Sequence, residues 1–334
     1  MRERVARSVR LGIIGCGHFG SYHAAAFRQL AGVHLAAFCN RTRGRAEQLA
    51  VACGGGLVTT DPDEVFAAGV DGVVIATHHD SHADLCRRAV RAGKHVLVEK
   101  PLGMSLNECD ELVQSVAGHE RLIHVGYKHR FAPAIERARR LLPSPDLIVG
   151  KYIDDRWDPA WWASDPKVGG GSVLSGACHT LDMLCYLAGA RPVRVYAEGS
   201  GAPCLEHLYA VVTFDNGATG VCVQSQTATP IRAGKQSYSL TSRAGAAIEL
   251  YNGLQSGTYR IGARTEELDR AGDEAIHQQA RAFVAQIRGE APPACSLADG
   301  YRANLLLEAC FESVRRQMAV GISWSRRHPA IATT

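Results

Sequence analysis

The chain has 334 residues, 46% hydrophobic and 21% charged, with a formal net charge of +4. That length suits about two globular domains, and a mild positive balance with no dense Lys/Arg block argues against nucleic acid as a partner. No apolar stretch approaches the roughly 18 residues of a membrane span, and eleven cysteines with no CxxC pair read as reduced thiols in a cytoplasmic protein.

The N-terminal MRERVARSVRLGIIG has charge but no isolated apolar region, so 9–15 reads as a buried strand and not as a signal peptide. Gly15-Cys16-Gly17-His18-Phe19-Gly20 follows at once and opens a helix over 22–31. A GxGxxG is a weak signal alone; between a strand and a helix it has the context of a dinucleotide-binding turn. Gly15 permits the tight turn, Gly17 lets the backbone approach a pyrophosphate, and Gly20 lets helix and strand pack closely. The helix N-terminus adds free N–H groups and positive potential.

A second strand, 33–40, ends in Asn40-Arg41-Thr42-Arg43. An acid here would hold the ribose 2′-hydroxyl of NAD. Asn40 carries no charge to repel a 2′-phosphate, and Arg41 and Arg43 are suited to pair with one. NADP is therefore the expected cofactor, with NAD still open. Strands at 71–77, 95–100 and 121–127 alternate with helices through RAEQLAVA, over 81–92 and from Ser105, where Ser105 and Glu108 have capping-box spacing. Continuously apolar strands alternating with helices predict an α/β domain, a doubly wound parallel sheet covered on both faces.

Beyond about residue 145 the pattern changes. LIVGKYIDD, RPVRVYAEG, LYAVVTF, ATGVCVQSQT, SYSLTS and AAIELY read as strands of an α+β domain with one large, mostly antiparallel sheet. Asp215-Asn216-Gly217 is a hairpin signal. A last long helix, about 297–320, packs back on either domain. The boundary is set at 127/128, giving a dinucleotide-binding domain 1–127 and a substrate-binding and oligomerisation domain 128–334.

Several residues carry candidate chemistry. Lys100 follows a strand end, where an ammonium would stabilise a developing alkoxide; the bland alternative is a solvated lysine. His179 follows three glycines and small residues that leave room for a ligand, and Asp182 at i+3 shares its helix face; it could orient the imidazole, border the substrate or serve as a structural carboxylate, and is not read as a catalyst. The alternative is a satisfied structural histidine. His78, His79, Asp80 and His82 do not form a metal set, because adjacent residues point different ways and no suitably spaced fourth ligand follows. Thr77 and His78 are placed at the cofactor, and His82 either joins them or packs the next helix. Tyr127 and Arg130 lie past a strand carboxyl end, where such sheets bind ligands; Arg130 contacts substrate or braces the domain junction. Trp157, Trp161 and Trp162 could stack on a sugar ring or anchor their loop. Asp154, Asp155 and Asp158 add local negative charge that would suit an amino sugar.

GCGHFGSYHAAAF, DGVVIATHHDSHADLCRRAVRAGKHVLVEKPLG, VGYKHRF and GGGSVLSGACHTLDML together resemble the glucose–fructose oxidoreductase / inositol dehydrogenase / MocA-type family over nearly the whole chain. The resemblance implies a Rossmann domain followed by a sheet domain that often forms the oligomer interface, here a homodimer or homotetramer. It implies NAD(P)-dependent oxidation or reduction of a secondary alcohol or ketone on a sugar, cyclitol or aminocyclitol. It places Glu99 and Lys100 of the EKP motif beside the nicotinamide, with Lys100-Pro101 often cis, and makes His179 the acid/base. The sequence departs from the family pattern at Ser175, where an Asp is common, at Ala177 for Gly and at His78 for Pro. The lost Asp bears on substrate geometry around Ser175. Two rival readings are a non-catalytic cofactor-binding sensor of the same fold and a redox-neutral glycoside hydrolase.

Overall fold

The computed structural model describes residues 7–268 and 275–324. These divide into two compact units, one holding 7–103, 107–126 and 276–297, the other 104–106, 127–268, 275 and 298–324. The chain thus leaves the first unit near Gly126 and returns to it for one helical segment.

In the first unit, strands β1 (Val9–Ile14), β2 (Val33–Cys39), β3 (Leu57–Thr59), β4 (Gly72–Ile75), β5 (His95–Val98) and β6 (Ile123–Val125) form one sheet in the order β3-β2-β1-β4-β5-β6. Every pairing is parallel. Helices α1 (His18–Arg28), α2 (Arg43–Ala52), α3 (Pro62–Ala67), α4 (His82–Arg91) and α5 (Leu106–Val116) make the connections. Strand order reverses between β1 and β4, and the crevice at such a switch point is where doubly wound sheets bind ligands. The core is aliphatic and aromatic: Leu11, Ile13, Phe27, Phe38, Val74 and Leu97 are buried together with Phe283 and Ile287. The last two lie on α8 (Ala275–Ile287). His124 of β6 ties that helix down, 3.2 Å from Gln286 Oε1 through Nδ1 and 3.3 Å from Gln279 Nε2 through Nε2.

The second unit is built on a nine-stranded sheet. Its strands are β7 (Leu147–Asp155), β8 (Pro192–Ser200), β9 (His207–Phe214), β10 (Thr219–Thr227), β11 (Gln236–Thr241), β12 (Ala246–Tyr251), β13 (Ser256–Ile261), β14 (Arg264–Leu268) and β15 (Val320–Gly321). The order is β14-β13-β12-β11-β7-β10-β9-β8-β15. All neighbours run antiparallel except β7 and β10, which are parallel, so the sheet is mixed. Helices α6 (Pro133–Leu141), α7 (Cys178–Ala188) and α9 (Leu297–Arg316) complete the unit. α7 lies on the face that carries Gly150, where an added Cβ would come 2.7 Å from both Thr180 and Tyr238. Glycine at 150 is what lets helix and sheet approach there. On the opposite face Tyr196, Tyr209 and Val211 are 40%, 48% and 47% exposed.

Candidate active site

The glycine turn leaves β1 at the switch point. Gly15 has φ +96°, and a Cβ on it would lie 2.3 Å from the Ala76 carbonyl oxygen. A Cβ on Gly20 would lie 1.9 Å from the Gly15 oxygen, so α1 packs on the turn itself. Around Gly17 there is open space within 4 Å. Two glycines are thus required by the fold, and the third opens a cradle in front of the α1 N-terminus. A dinucleotide pyrophosphate fits that cradle. Asn40 stabilises it, accepting the Cys16 N–H at 3.1 Å and donating to the Thr42 oxygen at 3.0 Å. Burial pushes the Cys16 thiol up to about 12, so it stays protonated at neutral pH. His18 and Phe19 stand exposed at the start of α1, His18 edge-on to Tyr22 at 4.4 Å.

The rim on the β2 side carries Arg41, whose guanidinium contacts His78 Nδ1 at 3.1 Å. Burial and the Arg41 charge hold His78 below the ordinary histidine value, consistent with a neutral ring accepting that bond. Arg43 turns to Glu47, 3.0 Å away. Past β4, the Ser81 hydroxyl donates to the His78 oxygen at 2.8 Å, so the Thr77 hydroxyl is the donor of the 2.7 Å bond between Thr77 and Ser81.

Lys100 lies half-buried just past β5, on the same carboxyl edge of the sheet as the cradle, and the Lys100-Pro101 bond is cis. Glu99, 6% exposed, is 2.8 Å from His23 Nε2 through one oxygen and accepts the Lys100 N–H at 3.3 Å through the other. His82 opens α4, entirely buried, and meets the Pro101 oxygen at 2.8 Å. It packs the helix and the Lys100 corner. With no exposed surface, it has no face to offer a cofactor.

In the second unit a single π-turn, Val173–Ala177, leads into α7, an irregularity often found at functional sites. It delivers His179, 6% exposed, into a ring of aromatics. Tyr152 of β7 lies parallel to the imidazole, with centroids 6.4 Å apart and planes 6° off. His129 sits at 4.3 Å and Tyr127 stands edge-on at 5.9 Å. Ser175, 8% exposed, lies in the π-turn, and its carbonyl accepts from the Cys178 thiol at 3.2 Å.

Several sequence-based expectations change here. Asp182 does not orient His179: both of its oxygens accept from Arg130, at 2.8 and 2.6 Å. Arg130 also pairs with Asp299 at 3.1 Å and lies over the Tyr186 ring at 4.7 Å. That guanidinium is an internal strut of the second unit. In the acidic run Asp154 is buried and paired internally, while Asp155 and Asp158 remain exposed. Asp154 is 3.0 Å from the Trp157 indole nitrogen and 2.5 Å from Lys235 Nζ. Asp155 accepts the Thr229 N–H at 2.9 Å, and Asp158 accepts the Ala160 N–H at 2.8 Å. Trp157, Trp161 and Trp162 form a chain of edge contacts at 4.6 and 5.7 Å, with Trp161 43% exposed. Among the described residues no group of three or more His, Cys, Asp or Glu side chains is arranged to hold a metal ion.

Sequence reasoning passed over His23, His129, Tyr152 and Lys235. For His23 a signal existed: it shares the i, i+3, i+4, i+7 face of Gly20, Ala24 and Phe27, all buried. Tyr152 and Lys235 come near His179 and Asp154 through strand pairing, which no local pattern reveals.

Residues 9–127 match the family described as oxidoreductases with an NAD-binding Rossmann fold, and residues 146–247 match the GFO/IDH/MocA C-terminal domain. The chain is 32% identical to scyllo-inositol 2-dehydrogenase (NAD(+)) of Bacillus subtilis over 236 residues, 66% of this chain and 68% of that protein. It is 28% identical to inositol 2-dehydrogenase of Rhizobium meliloti, covering 95% of this chain and all of that one (100%). A solved structure described as a putative myo-inositol dehydrogenase from Sinorhizobium meliloti superposes with a TM-score of 0.81 at 25% identity, over 95% of this chain and 100% of the other.

Proposed function

Because this chain belongs to the GFO/IDH/MocA family of oxidoreductases with an NAD-binding Rossmann fold, we propose that it is an NAD(P)-dependent dehydrogenase or ketoreductase. Its substrate class is a secondary alcohol or ketone of a cyclitol, sugar or aminocyclitol. The observation that carries this reading is the placing of Lys100 on the same carboxyl edge of one parallel sheet as the glycine cradle. The inositol dehydrogenases among its relatives favour a cyclitol.

In the oxidative direction the His179 imidazole accepts the hydroxyl proton, and the Lys100 ammonium stabilises the negative charge that develops on oxygen. Bound nicotinamide supplies the hydride acceptor. Gly15, Gly17 and Gly20 hold its phosphates, while Asn40, Thr42, Thr77 and His78 border its ribose. Tyr127, Tyr152 and His129 wall the imidazole and fix its plane. Ser175 leaves the site without the carboxylate common in the family, so substrate hydroxyls there meet a neutral group.

NADP is placed ahead of NAD, since Asn40 puts no charge at the end of β2 and Arg41 is exposed beside it. The exposed apolar residues of the nine-stranded sheet are assigned to a homodimer or homotetramer contact, and eleven cysteines outside any disulfide fit a cytoplasmic setting. Two variants test the chemistry. Lys100→Met and His179→Ala each lower kcat by about 100-fold or more while cofactor Kd, measured by fluorescence titration, stays within about threefold. Wild-type turnover in either variant overturns the assignment of that residue.

A further inference from the structure

The two flanks of Lys100 are each held by a buried histidine, and the two histidines come from different helices. Upstream, His23 on α1 has no exposed surface and its Nε2 lies 2.8 Å from Glu99 Oε1. The other Glu99 oxygen accepts the backbone N–H of Lys100 itself at 3.3 Å. Gly126 closes in from the neighbouring strand, where a Cβ would come 3.0 Å from the Glu99 Cα and 3.2 Å from its carboxyl carbon. The carboxylate is therefore walled in place. Downstream, His82 at the start of α4 is also fully buried, with Nδ1 at 2.8 Å from the Pro101 oxygen and Nε2 at 3.3 Å from the Thr77 oxygen. Both partners are acceptors. A ring kept neutral by burial has one N–H to give, and the shorter contact to Pro101 receives it.

α1 begins at the glycine cradle, and α4 follows the Thr77–Ser81 turn on the other side of the switch point. The helices that border the cofactor crevice are thus the ones that hold the lysine corner. Neither imidazole has surface to offer a ligand. We propose that His23 and His82 are positioning residues for Lys100, clamping the backbone on both sides of it in register with the dinucleotide cradle. The inference rests on the reading of Lys100 as the cation at the reacting oxygen. Its physical basis is that a misplacement of about 1 Å can cost around 100-fold in rate.

The experiment compares variants that remove each strap with variants that keep its donor. In His23→Leu and His82→Leu, kcat falls by about 30- to 100-fold, while substrate KM and cofactor Kd stay within about threefold. His23→Gln keeps a donor near Nε2 and His82→Asn keeps one near Nδ1; each recovers most of the loss. If the leucine variants do not fold, Glu99→Gln serves in their place, since it keeps shape and size but drops the charge that His23 meets. The same fall in kcat at constant Kd is expected of it. A second readout needs no turnover: in cofactor-free protein, acetylation of Lys100 read by peptide mass spectrometry changes more than about threefold on strap removal, while the exposed Lys151 does not change. The proposal is overturned by wild-type kcat and labelling in a folded strap-removal variant. It is equally overturned if kcat, KM and Tm decline together with no recovery in His23→Gln or His82→Asn. Failure of the underlying reading is separate, because that shows as wild-type turnover in Lys100→Met.

Discussion

Asp182 has almost no exposed surface, and burial pushes its carboxyl up to about 6 although Arg130 pulls the other way. His82 is displaced in the opposite sense: burial lowers it from 6.5, against the carbonyls of Pro101 and Thr77. The two groups therefore act oppositely on stability. A raised carboxyl contributes stability below its unfolded value and loses it as pH rises through about 6. A lowered histidine contributes stability above 6.5 and loses it as pH falls toward its folded value. Wild-type protein is thus expected to lose more Tm between pH 7 and pH 5 than His82→Asn, which has no titrating group at that position. Equal losses would show that His82 is not held neutral. The places of Lys100 just past a strand and of His179 near a helix start were legible in the sequence, because their motifs carry them. The surroundings of His179 were not, because Tyr152 stands on β7 and reaches the imidazole only once α7 has docked on that sheet. Of the readings of Asp182, the structural carboxylate fits its Arg130 pair and the orienting role does not, for a related reason. Spacing on a helix shows which residues share a face, but a buried carboxylate takes the strongest cation within reach, and that was Arg130, 52 positions away.

The glycine turn gives a prediction at the scale of the element, because its three glycines do different things. Gly17→Ala meets open space and should leave Tm within about 1 °C while weakening cofactor binding by about tenfold or more, read by fluorescence titration. Gly20→Ala would place its methyl 1.9 Å from the Gly15 oxygen and should lower Tm by several degrees as well, in line with the cost of overpacking. A cradle in which both variants bind cofactor like wild type would contradict the phosphate assignment. Strand–helix alternation made the parallel sheet readable, since β1, β4 and β5 are mostly apolar, with Arg10 and His95 the only polar residues in the three. The strands that escaped notice are short or polar: β3 has three residues, β15 two, and β13 and β14 carry Ser, Thr, Arg and Glu. The parallel pairing of β7 with β10 could not be read either. Alternation fixes which face a residue takes but not the direction of its neighbour. α8 returns to the first unit through His124, Gln279 and Gln286, and that tie joins residues 155 and 162 apart.

At the scale of the whole molecule, two observations matter. Tyr196, Tyr209 and Val211 form an apolar patch on the open face of the nine-stranded sheet, paired across β8 and β9 as Tyr196↔Val211 and Glu198↔Tyr209. With this face assigned to self-association, Val211→Lys should shift the protein to a smaller species in light scattering, with Lys100-dependent turnover lost only as far as assembly supports it. An unchanged mass would remove that face from the interface. The other observation is the coexistence, in one chain, of a cradle for a dinucleotide and of Lys100 and His179 on their separate mounts. The measurement that bears most directly on it is nicotinamide absorbance at 340 nm during incubation with NADP or NAD and a panel of inositols, amino-inositols and sugars, in both redox directions. The expected result is reduction of cofactor by at least one cyclitol, faster with NADP than with NAD, and lost in Lys100→Met. Cofactor binding without turnover of any panel member in either direction would contradict the account and leave a cofactor-binding sensor as the better description.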